Sequence, residues 1–266
     1  MNPQPEDPMP DERQRRRSIY LLPNAFTTAN LFSGFYAVVQ AMNQNFETAA
    51  IAIFLAMVFD SMDGRVARLT NTQSAFGEQY DSLADMISFG MAPALVMYEW
   101  SLQGLDRWGW LAAFVYVVGA ALRLARFNAN IGKVDKQYFQ GLPSPAAAAL
   151  VAGFVWLSVD NKLSLSDGLI PWAAFAVTVY AGIAMVSNAP FFSGKSFALG
   201  RSVPFWVMLL VVAVFVFVSS DPPVVLFALF VVYSLSGWLV WLWRVRRARR
   251  LGQRMRGAEA EDPSAH

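Results

Sequence analysis

The sequence predicts an all-α fold, a polytopic membrane helix bundle of about eight transmembrane helices. Three observations predict it. Of the 266 residues, 56% are hydrophobic and only 15% charged, against about 25% charged in an average soluble domain. Eight apolar stretches approach the roughly 20 residues that cross a bilayer. The basic residues segregate: with an even number of crossings, 19 of the 21 Lys and Arg fall on one side.

The stretches are, in order, Phe26–Met42, Phe46–Asp60, Ser82–Trp100, Trp108–Leu124, Leu142–Val159, Leu169–Ser187, Val203–Ser219 and Pro223–Trp243. The second is short and runs into charged residues. The third carries Asp85 near its start, which is costly in hydrocarbon. The seventh has no charge, and the eighth ends in Trp241 and Trp243, residues that favour the membrane interface. The basic side gathers Arg13, Arg15, Arg16 and Arg17, then Arg65 and Arg68, then Arg123, Arg126, Lys133 and Lys136. Lys195, Arg201 and seven arginines from Arg244 to Arg256 complete it, leaving only Arg107 and Lys162 opposite. The positive-inside rule makes the basic side cytoplasmic. The expectation is a multi-pass inner-membrane protein with both termini in the cytoplasm and no cleavable leader. Residues 1–17 and 251–266 are expected as disordered tails around a transmembrane domain at 18–250. The terminal arginine run reads as an anchor on anionic lipid rather than a nucleic-acid contact. Small residues at Gly119–Ala121 and Ala146–Ala149 suit close helix packing.

The chain has no cysteine, and its single histidine is His266. Thiol catalysis, Cys-zinc sites and histidine triads are therefore excluded. Chemistry falls to Asp, Glu, Ser, Thr, Tyr, Asn, Lys and Arg.

One segment concentrates acids. Asp60 and Asp63 are three apart, and Asp81 and Asp85 four apart, so on helices each pair shares a face. The pairs end one membrane helix and begin the next, and a helical hairpin would bring all four carboxylates together. Packed carboxylates repel unless a cation is shared. Oxygen donors without His or Cys favour Mg²⁺ or Mn²⁺, and paired ions about 3.5–4 Å apart serve phosphoryl transfer. Arg68 offers a bidentate phosphate clamp, and Gly64 and Ala67 leave room for a ligand near the backbone. The bland alternative is membrane-edge salt bridges to Arg65, Arg68, Arg123 and Arg126.

From Asp60 to Asp85 the residues match D-x2-D-G-x2-A-R-x8-G-x3-D-x3-D at all eight fixed positions. This resembles the signature of the CDP-alcohol phosphotransferases, polytopic membrane enzymes that move a phosphatidyl or phosphoalcohol group from a CDP-linked donor to an alcohol and release CMP. The resemblance implies that Asp60, Asp63 and Asp81 hold one metal, that Asp60, Asp81 and Asp85 hold a second, and that Asp85 is also the general base. It places Gly64, Ala67, Arg68 and Ser74 on the CDP-diacylglycerol donor. Pro23–Asn30 resembles the family's first membrane helix, which puts Asn24 and Thr27 in the nucleotide or metal shell, with helix capping as their competing role. A homodimer is also implied.

Further stretches resemble the membrane-spanning phosphatidylserine synthases within that family: Tyr20–Asn24 with Ala29–Gly34, Asp81–Ala94, Arg123–Asn128, Phe139–Pro145 and Met185–Asn188. They imply L-serine as the acceptor. Arg123 and Arg126 share a face near the site and are candidates for the serine carboxylate or the donor phosphate. Asn128 and Ser144 are candidates for the ammonium end. Glycerol 3-phosphate, inositol phosphate or choline would be alternative acceptors for the same chemistry. A cation-coupled transporter is the alternative of another class, but it would place acids near the midplane and often show repeated halves.

Overall fold

A computed structural model describes residues 10–70, 72, 74–129, 138–163, 165–192 and 205–260. Nine α-helices carry these residues: α1 (Pro10–Met42), α2 (Phe46–Leu69), α3 (Ala75–Asp85), α4 (Ala92–Trp100), α5 (Arg107–Ala129), α6 (Ser144–Val159), α7 (Ile170–Val186), α8 (Phe205–Ser220) and α9 (Pro222–Ala260). A π-helical turn, Met86–Met91, joins α3 to α4 without a break. The nine helices therefore form eight rods, and each expected apolar stretch falls on one of them. By length and apolarity, Arg107–Ala129 and Pro222–Arg244 are able to cross a membrane. Ser144–Val159 and Ile170–Val186 are apolar but shorter. The expected eight crossings thus reduce, by this measure, to an all-helical chain with two clear spans. The shortfall has a physical reason in α2, whose second half carries Asp60, Asp63, Arg65 and Arg68, and in the third rod, which divides at the π turn.

Two short strands accompany the helices among the described residues. Three-residue strands β1 (Tyr138–Gln140) and β2 (Pro190–Phe192) pair antiparallel and tie the entry of α6 to the exit of α7. Residues 10–17 and 251–260, expected in disordered tails, continue α1 and α9 instead. Pro10 suits a first helical position, and Arg, Gln, Met and Ala are good helix formers. Residues 1–9 and 261–266, and the basic residues Lys133, Lys136, Lys195 and Arg201, lie outside the described residues.

The interior is built of small side chains. Helix α6 is buried on almost every side, Ala146–Ala149 included, as befits a helix apolar all round. It packs on α2, α7 and α9. Helices α5 and α7 meet at Gly119 and Gly182: a Cβ on Gly119 would stand 2.5 Å from the Gly182 carbonyl oxygen. Large apolar residues such as Phe32, Phe35, Trp110, Phe114, Leu229 and Leu239 point outward and are exposed. An exposed apolar exterior of this kind marks a surface made for another apolar phase.

Candidate active site

Helix α2 runs beyond its apolar stretch and stops at Thr70, whose hydroxyl donates back to the Val66 carbonyl at 2.8 Å. After a short link, Ser74 caps α3 by accepting from the Gly77 amide at 3.0 Å. This hairpin brings the four aspartates together. Carboxylate oxygens of Asp60, Asp63 and Asp81 lie within 4.8 Å of one another. Asp85, one turn further along α3, sits within hydrogen-bond reach of Asp60, as Asp81 does of Asp63. The Thr27 hydroxyl, almost fully buried in α1, donates to Asp63 Oδ2 at 3.1 Å, with the Pro23 carbonyl as its other acceptor at 3.2 Å.

The cluster is not neutralised by ordinary ion pairs. Among the described residues, ion pairs run from Lys162 to Asp160 and Asp221 at the far end of the bundle. None joins a cluster aspartate to an arginine. Arg68 and Arg123 act on the acids only through space. Burial, then the neighbouring Asp63 and Asp60 carboxylates, push Asp81 up to about 7. Burial likewise raises Asp63. Oδ1 of Asp81 is buried without a partner among the described residues, an expensive arrangement for a lone polar atom. A hard divalent cation fits this set: it supplies the missing partner, and only oxygen donors face it.

Beside the cluster lies a cleft of about 210 Å³. All six donor-site candidates, Asn24, Thr27, Gly64, Ala67, Arg68 and Ser74, line it together with Asp63 and Asp81. The Arg68 guanidinium lies over Gly64, 3.5 Å from where a Cβ would stand. Helix α1 starts at Pro10, so Asn24 and Thr27 lie well inside it and cap nothing. Sequence reasoning gave no role to Pro23, Thr72 and Glu78, which also line the cleft. Gly77, a fixed position of the pattern, lines it too.

The acceptor candidates separate. Arg123 is buried, donates from Nη1 to Ser144 Oγ at 2.9 Å, and keeps Nε without a partner among the described residues. Arg126, three residues on, turns to the end of α7. It donates to the Val186 carbonyl at 2.6 Å, and at 3.3–3.4 Å to Asn188 Oδ1 and the Ser187 carbonyl. Its place is at a helix C-terminus, where cations satisfy the last carbonyls. Asn128 exchanges hydrogen bonds with Ser82 and joins α5 to α3. Ser144 is taken by Arg123.

Asn30 had no assigned role. It is fully buried, and its Nδ2 donates to Asp85 Oδ1 at 3.2 Å. Its spacing was a legible signal, since Thr27, Asn30 and Gly34 share one face of α1. The π turn after Asp85 gave none. There the Tyr116 hydroxyl donates to the Phe89 carbonyl at 2.9 Å, and π-helical turns occur frequently at functional sites.

The sequence model of CDP-alcohol phosphatidyltransferase matches residues 20–180. The chain belongs to the CDP-alcohol phosphatidyltransferase family. The matched region takes in the four aspartates, the cleft, Arg123 and Ser144, and ends before α8. Curated relatives extend the likeness. The chain is 35% identical over 228 residues to a CDP-diacylglycerol–serine O-phosphatidyltransferase of Helicobacter pylori, covering 85% of this chain and 94% of that protein. It is 37% identical over 158 residues to the enzyme of the same name from Methanocaldococcus jannaschii, covering 58% of this chain and 72% of the relative. With that of Saccharomyces cerevisiae it shares 38% identity over 144 residues, 49% of this chain and 51% of the yeast protein.

Proposed function

We propose that this chain is a phosphatidylserine synthase, which transfers the phosphatidyl group of CDP-diacylglycerol to the hydroxyl of L-serine and releases CMP. The observation that carries the reading is the buried four-aspartate cluster, with an unpartnered Asp81 oxygen, set against a cleft lined by Arg68. The serine acceptor is supported by the name and near-complete coverage of the Helicobacter relative.

Asp60, Asp63 and Asp81 would hold one Mg²⁺ or Mn²⁺, and Asp60, Asp81 and Asp85 a second. When bound, the ions supply positive charge against the donor pyrophosphate. Arg68 clamps a donor phosphate oxygen, while Asn24, Thr27 and Ser74 offer polar contacts to the CDP moiety and Gly64 and Ala67 let it approach the backbone. Arg123 receives the serine carboxylate. Asp85 takes the proton from the serine hydroxyl. The freed oxygen attacks the phosphorus that bears diacylglycerol, the bond from that phosphorus to the CMP oxygen breaks, and CMP departs in line. Arg126 and Asn128 hold helices in place rather than touching serine.

All eight rods cross the inner membrane in this reading, with the aspartate end and both termini cytoplasmic, and the enzyme is a homodimer. The outward-facing Phe, Trp and Leu side chains support a lipid environment. The deciding experiment is CMP release from CDP-diacylglycerol by the purified protein with Mg²⁺ or Mn²⁺. L-Serine, glycerol 3-phosphate, inositol phosphate and choline are offered in parallel. Release that requires serine and metal is expected. Release with another acceptor in place of serine overturns the acceptor, and no release with any overturns the reaction.

A further inference from the structure

We propose that Asn30 is a positioning and specificity-determining residue of the acceptor site: its Nδ2 holds Asp85, and its Oδ1 receives the ammonium group of the amino-acid acceptor opposite Arg123. The proposal rests on the serine reading above and goes beyond it by naming what recognises the amine.

Asn30 is fully buried in α1, and its Nδ2 donates to Asp85 Oδ1 at 3.2 Å. Nδ2, the donor end of the amide, is therefore the end that faces Asp85. The other end, Oδ1, is buried and has no partner among the described residues. The residue is held from behind. Ser88 in the π turn donates from Oγ to the Asn30 carbonyl at 2.9 Å. Ser88 comes that close because Gly34, one turn on, has no Cβ; one built there would overlap the serine.

Arg123 provides the opposite polarity. Asp85 and Asp60 both lie within electrostatic reach of its guanidinium. Its Nη1 donates to Ser144, and its Nε, also buried, has no partner among the described residues. Asp85 therefore has one unused acceptor on the amide that bonds it and one unused donor on a guanidinium within electrostatic reach. An amino acid with a β-hydroxyl matches all three. Its ammonium donates to Asn30 Oδ1, its carboxylate accepts from Arg123, and its hydroxyl faces Asp85. The ammonium keeps its protons throughout, and only the hydroxyl proton moves to Asp85. A quaternary ammonium has no N–H to give Oδ1, and a phosphorylated polyol brings no ammonium to it.

The test compares kcat/KM for L-serine, 3-hydroxypropionate (no ammonium) and L-serine methyl ester (no carboxylate), by CMP release from the full-length enzyme with metal. The wild type is expected to disfavour both analogues. Asn30→Ala is expected to reduce the preference for serine over 3-hydroxypropionate by about tenfold or more, leaving the preference over the ester unchanged. Asn30→Asp keeps the shape and an acceptor oxygen. It is expected to retain the preference for the ammonium while kcat falls, because the added charge disturbs Asp85. A merely structural role lowers turnover with all three acceptors alike and leaves the ratios intact, and that result overturns the proposal. So does an Asn30→Asp enzyme that loses the ammonium preference, and this variant decides the matter if Asn30→Ala does not fold. Wild type that turns over serine and 3-hydroxypropionate equally overturns the Asn30 assignment alone. Wild type inactive with serine overturns the synthase reading as well.

Discussion

The two sides of the aspartate cluster are built differently. The donor side is drawn from α1, α2 and α3, within residues 23–81, and it is open: a cleft of about 210 Å³ in which the Arg68 guanidinium makes no hydrogen bond to any described residue. The acceptor side is drawn from α1, the π turn, α5 and α6, and it is closed. Asn30 and Arg123 each make a protein hydrogen bond there and keep one buried polar atom spare among the described residues. The difference suits the two ligands. A large nucleotide held mainly by its phosphates needs space and a mobile cation. A small zwitterion needs fixed donors and acceptors, because few contacts must do the discriminating.

The harshest test of this contrast strikes the residue the two sides share. Asp85→Asn keeps the shape of the side chain but removes the base and one carboxylate. Turnover is expected to fall by at least about 10³-fold, while CDP-diacylglycerol binding, read by titration of the purified protein, stays largely intact. Normal CMP release from this variant would remove Asp85 from the chemistry.

The sides should then separate kinetically. Arg68→Gln is expected to raise KM for CDP-diacylglycerol about 10- to 100-fold, with KM for serine nearly unchanged. Arg123→Gln should do the reverse, raising KM for serine about tenfold or more. If both variants shift the same constant, donor and acceptor sites are not divided as described. Chelation sharpens the contrast from another direction. EDTA should abolish turnover of the wild type, and added Mn²⁺ should restore it and give a bound-ion signal by electron paramagnetic resonance. In Asp81→Asn that signal should weaken.

The same contrast explains what could be read before folding. Spacings of three and four in Asp60, Asp63, Asp81 and Asp85 are local, so the sequence alone puts each pair on one helix face, and a short link brings the pairs together. Gly64, Ala67 and Arg68 line the cleft for the same reason, whereas Asn24, Thr27 and Ser74, which also line it, were marked by the family resemblance and not by local spacing. Each apolar stretch also falls on a helical rod. The acceptor side resists such reading because its partners come from other helices. Arg123 and Arg126 look alike in sequence, three residues apart and both basic. Yet the first points to Ser144 on α6 and the second to the end of α7. Strands of three residues carry too little pattern to announce β1 and β2. Nor does anything in Met86–Met91 foretell a π turn, whose form depends on contacts such as the Tyr116 hydroxyl on the Phe89 carbonyl.

The smallest expected effect separates holding from binding. Arg126 spends its guanidinium on the Val186 and Ser187 carbonyls and on Asn188. Truncation in Arg126→Ala leaves the carbonyls at the end of α7 short of a donor, for a loss of about 1–2 kcal/mol. The thermal midpoint in detergent should drop by a few degrees, while KM for serine stays within about twofold, since the lost bonds serve the helix end and not the acceptor. The ordering follows from the geometry. Arg123 has a spare buried Nε and a guanidinium within electrostatic reach of Asp85, whereas the hydrogen bonds of Arg126 among the described residues go to the end of α7. A serine KM that rises as steeply in Arg126→Ala as in Arg123→Gln would mean that the arginine pair acts together on the carboxylate, as their shared helix face suggests, and that the α7 contacts form only when the acceptor is away.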